Sequence, residues 1–87
     1  MKKYVVSVMD FEGGEIDLVV EGIYKNLCLA FNSMWKVLNE LLENAKYNGK
    51  AKIKVEYKFD NKYKVENIII KSGDEALFQI NLSETFE

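Results

Sequence analysis

The sequence predicts an α+β fold: one antiparallel β-sheet with a single long amphipathic helix packed on one face, in the order ββαβββ. Three observations predict it. Residues 50–59, KAKIKVEYKF, alternate charged and apolar side chains with a period of two, as a half-buried strand does. Residues 22–47 instead repeat apolar side chains at i, i+3, i+4 and i+7, the helical period. Turn-forming residues separate the remaining β-rich runs: Gly13-Gly14, Asn48-Gly49, Asp60-Asn61-Lys62 and Ser72-Gly73-Asp74.

The first two runs, residues 3–11 and 15–21, flank Glu12-Gly13-Gly14-Glu15. A Gly-Gly pair suits a two-residue hairpin turn, in which both central residues can require positive φ. That turn sets Phe11 opposite Ile16, Met9 opposite Leu18 and Ser7 opposite Val20, on what reads as the core face. The other face then pairs Glu12 with Glu15, Asp10 with Asp17 and Val8 with Val19. If residues 15–21 are not a strand, the order becomes βαβββ.

In the helical run the apolar stripe includes Tyr24, Leu27, Cys28, Phe31, Met34, Trp35, Leu38, Leu41, Leu42 and Ala45. Ile23, Ala30 and Val37 widen it to about half the circumference, which suits a helix lying across a sheet. No capping residue is evident where the stripe begins. At its end Lys46 complements the helix dipole and Asn48-Gly49 supplies a stop. A meander of three strands follows, over 50–59, 63–71 and 75–82. A tight Gly73-Asp74 turn places Ile69 opposite Phe78, Asn67 opposite Ile80 and Val65 opposite Leu82. Asn67 then sits among core positions, so this register implies either a buried amide needing partners or a bulge.

Bulk properties narrow the function. A chain of 87 residues is one compact domain, residues 1–87, with a modest core. With 48% hydrophobic and 30% charged residues it belongs with globular proteins. The net charge of −2 draws the whole molecule to neither nucleic acid nor membrane. The longest apolar run, Leu27 to Phe31, is far short of a membrane span. No secretory leader or lipid-anchor motif is read, and one cysteine allows no internal disulfide. A cytoplasmic protein is expected, in the host cytoplasm if a phage encodes it. There is no His, so the commonest general base and metal ligand are missing. No nucleophile–base set, metal-ligand cluster or phosphate-cradling loop is present. We therefore expect no enzyme and no cofactor.

Three surfaces compete for a binding role. The acidic hairpin end gathers Asp10, Glu12, Glu15 and Asp17 on one face, where like charges opposed across strands cost stability. It is read as a solvated tip, as a contact for a basic partner surface, or as an oxygen-ligand metal site. The face opposite the helix would leave Tyr4, Val6, Val8, Val19, Ile68, Ile70 and Leu77 uncovered. Contiguous exposed apolar surface marks a protein partner or a homodimer, and an edge strand can also dimerise by extending the sheet. Finally, Lys52, Lys54, Lys58 and Lys64 line the outer face of the meander. Residues 46–64 carry seven lysines against Glu56 and Asp60. This row could hold a nucleic-acid backbone. It lacks arginine, however, and its aromatic neighbours Tyr57 and Phe59 point the other way, so a solvated sheet face explains it better.

Lysine carries all the positive charge, eight residues are Asn, and Pro is absent, a skew that AT-rich coding produces. The expected function is thus a small non-catalytic protein-binding domain that occupies a surface of a larger macromolecule. A phage or mobile-element inhibitor of a host defence nuclease, comparable in kind to anti-CRISPR proteins, fits that description. A structural or regulatory homo-oligomer and a weak nucleic-acid binder are the alternatives.

Overall fold

The computed structural model describes residues 2–12, 15–59 and 65–86, and for Val65 and Phe86 the backbone alone. It contains β1 (Lys2–Asp10), β2 (Asp17–Tyr24), α1 (Leu27–Tyr47), β3 (Ile53–Phe59), β4 (Val65–Ser72) and β5 (Glu75–Phe86). All five strands form one antiparallel sheet in the order β2-β1-β5-β4-β3. The fold is α+β, with the one helix packed on one face of the sheet. β1 and β5 hold the centre, while β2 and β3 are the edges. The chain leaves the β2 edge, runs through α1, and re-enters at the opposite edge as β3. A helix of 21 residues spans about 30 Å, more than the roughly 20 Å across five strands.

The helix starts later than the apolar stripe suggests, because β2 continues to Tyr24 and takes Ile23 and Tyr24 into the sheet. Asn26 is the N-cap: its backbone is extended and its Oδ1 accepts a hydrogen bond of 2.9 Å from the Leu29 amide. The C-terminus closes as expected at Asn48-Gly49. Gly49 has φ +73° and donates to the Lys46 carbonyl, while Lys50 donates to Ala45, the paired bonds of a Schellman motif. Ala30, Met34, Val37, Leu38 and Ala45 are buried against the sheet, and the helix lies over β2, β1 and β5. Cys28 and Trp35, which the stripe assigns to the core, are exposed instead. Tyr24 ties the helix to the sheet: its ring covers Gly22, and its hydroxyl donates to Ser33 Oγ at 2.8 Å. A Cβ at Gly22 would lie 2.7 Å from the Tyr24 ring carbon Cζ, so glycine suits this position sterically.

The register of the first hairpin is the expected one: Ser7 pairs with Val20, Met9 with Leu18 and Asp10 with Asp17. Gly13 and Gly14, the expected turn, lie outside the described residues. The face is the reverse of the expected one. Val6 and Val8 lie under the helix, while Ser7, Met9, Leu18 and Val20 face away from it. The second hairpin explains the reversal. Gly73 has φ +61°, as the first central residue of a type II′ turn, and Ser72 pairs with Glu75. The ladder then slips: Lys71 pairs with Ala76, but Ile70 pairs with Phe78. Leu77 is the extra residue of a bulge, and Leu77 and Phe78 are both buried. Beyond the bulge Ile68 opposes Ile80 and Ile69 opposes Gln79, not Phe78. Asn67 opposes Asn81, not Ile80, and so leaves the core face. A one-residue slip moves every later side chain to the other face of the sheet. Ile68, Ile70, Leu77, Ile80, Val6 and Met34 are the largest fully buried side chains. The turn expected at 60–62 and the residues Tyr63 and Lys64 lie outside the described residues.

Among the described residues one backbone position carries strain. Lys52 has φ 54°, the left-handed region that an L side chain enters at a cost, while its carbonyl accepts from the Gly73 amide at 3.0 Å. Lys52→Gly is expected to stabilise the protein by roughly 0.5–1 kcal/mol after glycine's extra unfolded-state entropy is subtracted. Chemical denaturation checks this: a lower midpoint in the variant would contradict it.

Candidate interaction surfaces

The sheet face away from the helix is banded. Its rows can be read across the strands from the pairing. One row runs Val20, Ser7, Asn81, Asn67, Lys58; the next runs Leu18, Met9, Gln79, Ile69, Glu56. The β2 side is therefore aliphatic, the centre mixes hydroxyl and amide groups with Met9 and Ile69, and the β3 side is charged. In the centre Gln79 Nε2 donates to Asn81 Oδ1 at 2.7 Å. Asn67 Oδ1 is buried with no hydrogen-bond partner. It lines an open depression of about 430 Å³ together with Glu56, Tyr57, Lys58 and Ile69.

The apolar surface expected on this face is not where the sequence places it. Val6, Val8, Ile68, Ile70 and Leu77 are core residues, and Tyr4 is partly buried against that core. The bulge at Leu77 puts them there. Of that expected set only Val19 is exposed, and it stands on the helix side of β2, beyond the cover of the helix. Exposed apolar surface gathers instead at the two sheet edges. On β2 and just before it, Ile16, Leu18, Val19, Val20 and Ile23 are each more than half exposed. At the other edge Trp35, Tyr57 and Phe59 are 43%, 44% and 56% exposed. The Trp35 and Tyr57 rings lie 5.8 Å apart at 48°, an edge-biased aromatic contact. β3 alternates without interruption, so Phe59 shares the side of Tyr57. Leu29, on the outer side of the helix, is exposed as its position implies.

The lysine row survives only in part. Lys54 and Lys58 occupy alternate positions of β3 on the face away from the helix, opposite Lys71 and Asn67. Lys52 precedes the strand, held by its backbone, and Lys64 lies outside the described residues. Glu56 stands between Lys54 and Lys58 and pairs with Lys71 at 2.8 Å. The face is a mixed-charge strip, and Tyr57 lies on its far side against Trp35, where it cannot stack a base above the lysines.

At the acidic end Asp10 and Asp17 are direct cross-strand neighbours, as expected. Asp10 Oδ1 accepts from the Glu12 amide at 2.8 Å, which folds the chain at the strand end and leaves Glu12 partly buried. Glu15 is exposed. Among the described residues no three acidic or cysteine side chains converge as a metal site. Among them, too, no helix is long and apolar enough to cross a membrane. No protein-family model, curated protein or solved structure matches the chain.

Like charges directly opposed in an antiparallel pair are destabilising. Asp17→Asn should raise stability by roughly 0.2–1 kcal/mol at low salt. The gain should shrink in about 1 M salt, where the screening length falls to about 3 Å. Urea titrations at both ionic strengths check it; a gain independent of salt would rule out the Asp10–Asp17 repulsion as its source.

Proposed function

We propose that this chain is a non-catalytic protein-binding domain that docks on a larger protein through the aromatic edge formed by Trp35, Tyr57 and Phe59. The exposure of these three rings, one on α1 and two on β3, carries the reading. Tryptophan and tyrosine are the residues most enriched where binding energy concentrates, because each brings a large rigid apolar area at low entropic cost. Lys54, Glu56 and Lys58, on the other face of the same edge strand, border this edge with mixed charge. Nothing in the chain's chemistry competes with this use. There is no histidine, and the acidic pair stands at a hairpin end and not in a cleft.

Inhibition of a host defence nuclease is the form of this reading that the acidic hairpin end favours. Asp10 and Asp17, side by side, present two carboxylates to a basic groove. In that form, Asp10→Lys with Asp17→Lys abolishes binding, while in the general form the aromatic edge decides it.

A tagged chain should capture one stoichiometric protein from a bacterial lysate, and nuclease treatment should leave that recovery unchanged. Trp35→Ala combined with Tyr57→Ala should reduce recovery at least about tenfold, because truncating a central aromatic typically costs 2 kcal/mol or more. Both rings are nearly half exposed, so the fold should persist, which circular dichroism verifies. Recovery that disappears with nuclease would instead assign binding to nucleic acid. Recovery unaffected by the double substitution would move the contact away from this edge.

A further inference from the structure

We propose that the β2 edge is completed by β2 of a second copy of this chain, antiparallel about a two-fold axis at Val20. The two edges of the sheet differ in a way that singles out β2. β3 is guarded by a charge at every second position, Lys54, Glu56 and Lys58, a common protection against edge-to-edge pairing. β2 has no lysine and no proline. Its charges are Asp17 at its start and Glu21 at the bulge. Its large aliphatic side chains are exposed on both faces, Leu18, Val20 and Ile23 on one and Val19 on the other.

The pattern along β2 is self-complementary. Val20 pairs with Ser7 and Gly22 with Val6, so Glu21 is an extra residue that takes no step on the ladder. Counted in ladder steps, Leu18 and Ile23 stand equally far from Val20 on either side, and all three face away from the helix. A two-fold axis at Val20 therefore sets Leu18 opposite the partner's Ile23 and Val20 opposite the partner's Val20. Ile23 meets the partner's Leu18. On the helix side the same register sets Val19 opposite the partner's Gly22, a large residue facing the small one. A register moved by one step opposes side chains from different faces and loses every one of these pairs.

Charge selects the same arrangement. The turn end of the hairpin carries Asp10, Glu15 and Asp17, while the far end of β2 leads into exposed Lys25. In the antiparallel seam Ile16 falls opposite the partner's Lys25, so that ammonium enters the seam beside the stretch that carries Glu15 and Asp17. The acidic end of each copy meets the basic end of the other. The result is one continuous sheet that joins both copies and ends on the guarded β3 edge at each side, so the assembly closes at two chains.

The test uses the full chain. In a Cys28→Ser background, V20C introduces a single thiol at the proposed axis. With diamide as oxidant, V20C should form a disulfide-linked pair of chains. L18C alone should not, because its two copies lie about four ladder steps apart, beyond the roughly 7 Å that a disulfide can bridge. L18C mixed with I23C should cross-link. Light scattering should give the mass of two chains, and Val20→Lys should weaken self-association at least about tenfold by setting two ammonium groups on the axis. Circular dichroism should show Val20→Lys folded, since the side chain is exposed. The mass of one chain up to millimolar concentration would overturn the proposal. So would a dimer that survives Val20→Lys with no V20C cross-link, which would place the second copy elsewhere. A one-chain mass combined with loss of lysate capture in Val20→Lys would overturn it too, and would give this edge to the captured protein. Loss of capture in the Trp35 and Tyr57 variant, with no change of mass, bears on the aromatic edge alone.

Discussion

The extra residue that β5 carries at Leu77 decides which side of the sheet is buried. A tight turn at Gly73-Asp74 fixes the first pairs of the β4–β5 ladder, and without a bulge that register would continue along both strands. The bulge shifts it by one. Leu77 and Phe78 then both point into the core, and Ile68 and Ile70 turn toward the helix. β1 pairs with β5 along its whole length, so the choice passes on: Val8 lies opposite Ile80 and Val6 opposite Leu82. The layer that α1 covers is thereby fixed by one inserted residue. Every surface property follows, because whatever is not in that layer faces solvent or a partner.

This is also where the sequence stops being legible. Period-two alternation in Ile53 to Phe59 and helical spacing from Leu27 to Ala45 identify the elements and their order, since each pattern reflects a geometry of the local backbone. The Ser7–Val20 register is legible too, because the central Gly-Gly pair of the connection predicts it. A bulge has no comparable local signature. The triplet Ile68-Ile69-Ile70 is apolar at every position and so accepts either face. The one hint was Asn67, whose amide does not belong in a core. It opposes Asn81 on the face away from the helix. The N-cap at Asn26 is hidden for a related reason: the apolar residues Ile23 and Tyr24 extend the helical stripe by coincidence, while their backbone belongs to β2.

The distribution of exposed apolar surface then takes a simple form. The middle of the uncovered face mixes hydroxyl and amide groups with Met9 and Ile69, and it buries the Asn67 Oδ1 without a hydrogen-bond partner. Much of the exposed apolar surface stands at the two edges of the sheet, on β2 at one and on β3 with Trp35 of the helix at the other. One end is aliphatic and self-complementary; the other is aromatic and rimmed by mixed charge. A small sheet with one helix cannot cover its edges, and this chain gives the two edges different chemistry. The two contacts proposed for these edges would make one scaffold serve two binding partners.

The most direct test of the account compares three adjacent isoleucines. Ile68→Ala and Ile70→Ala should each cost about 2–5 kcal/mol in chemical denaturation, as buried isoleucine truncations do. Ile69→Ala should cost no more than about 1 kcal/mol, since its side chain lies on the uncovered face. Three similar costs, or a larger cost at Ile69 than at its neighbours, would mean that β4 buries the other face and that the Leu77 bulge does not set the register.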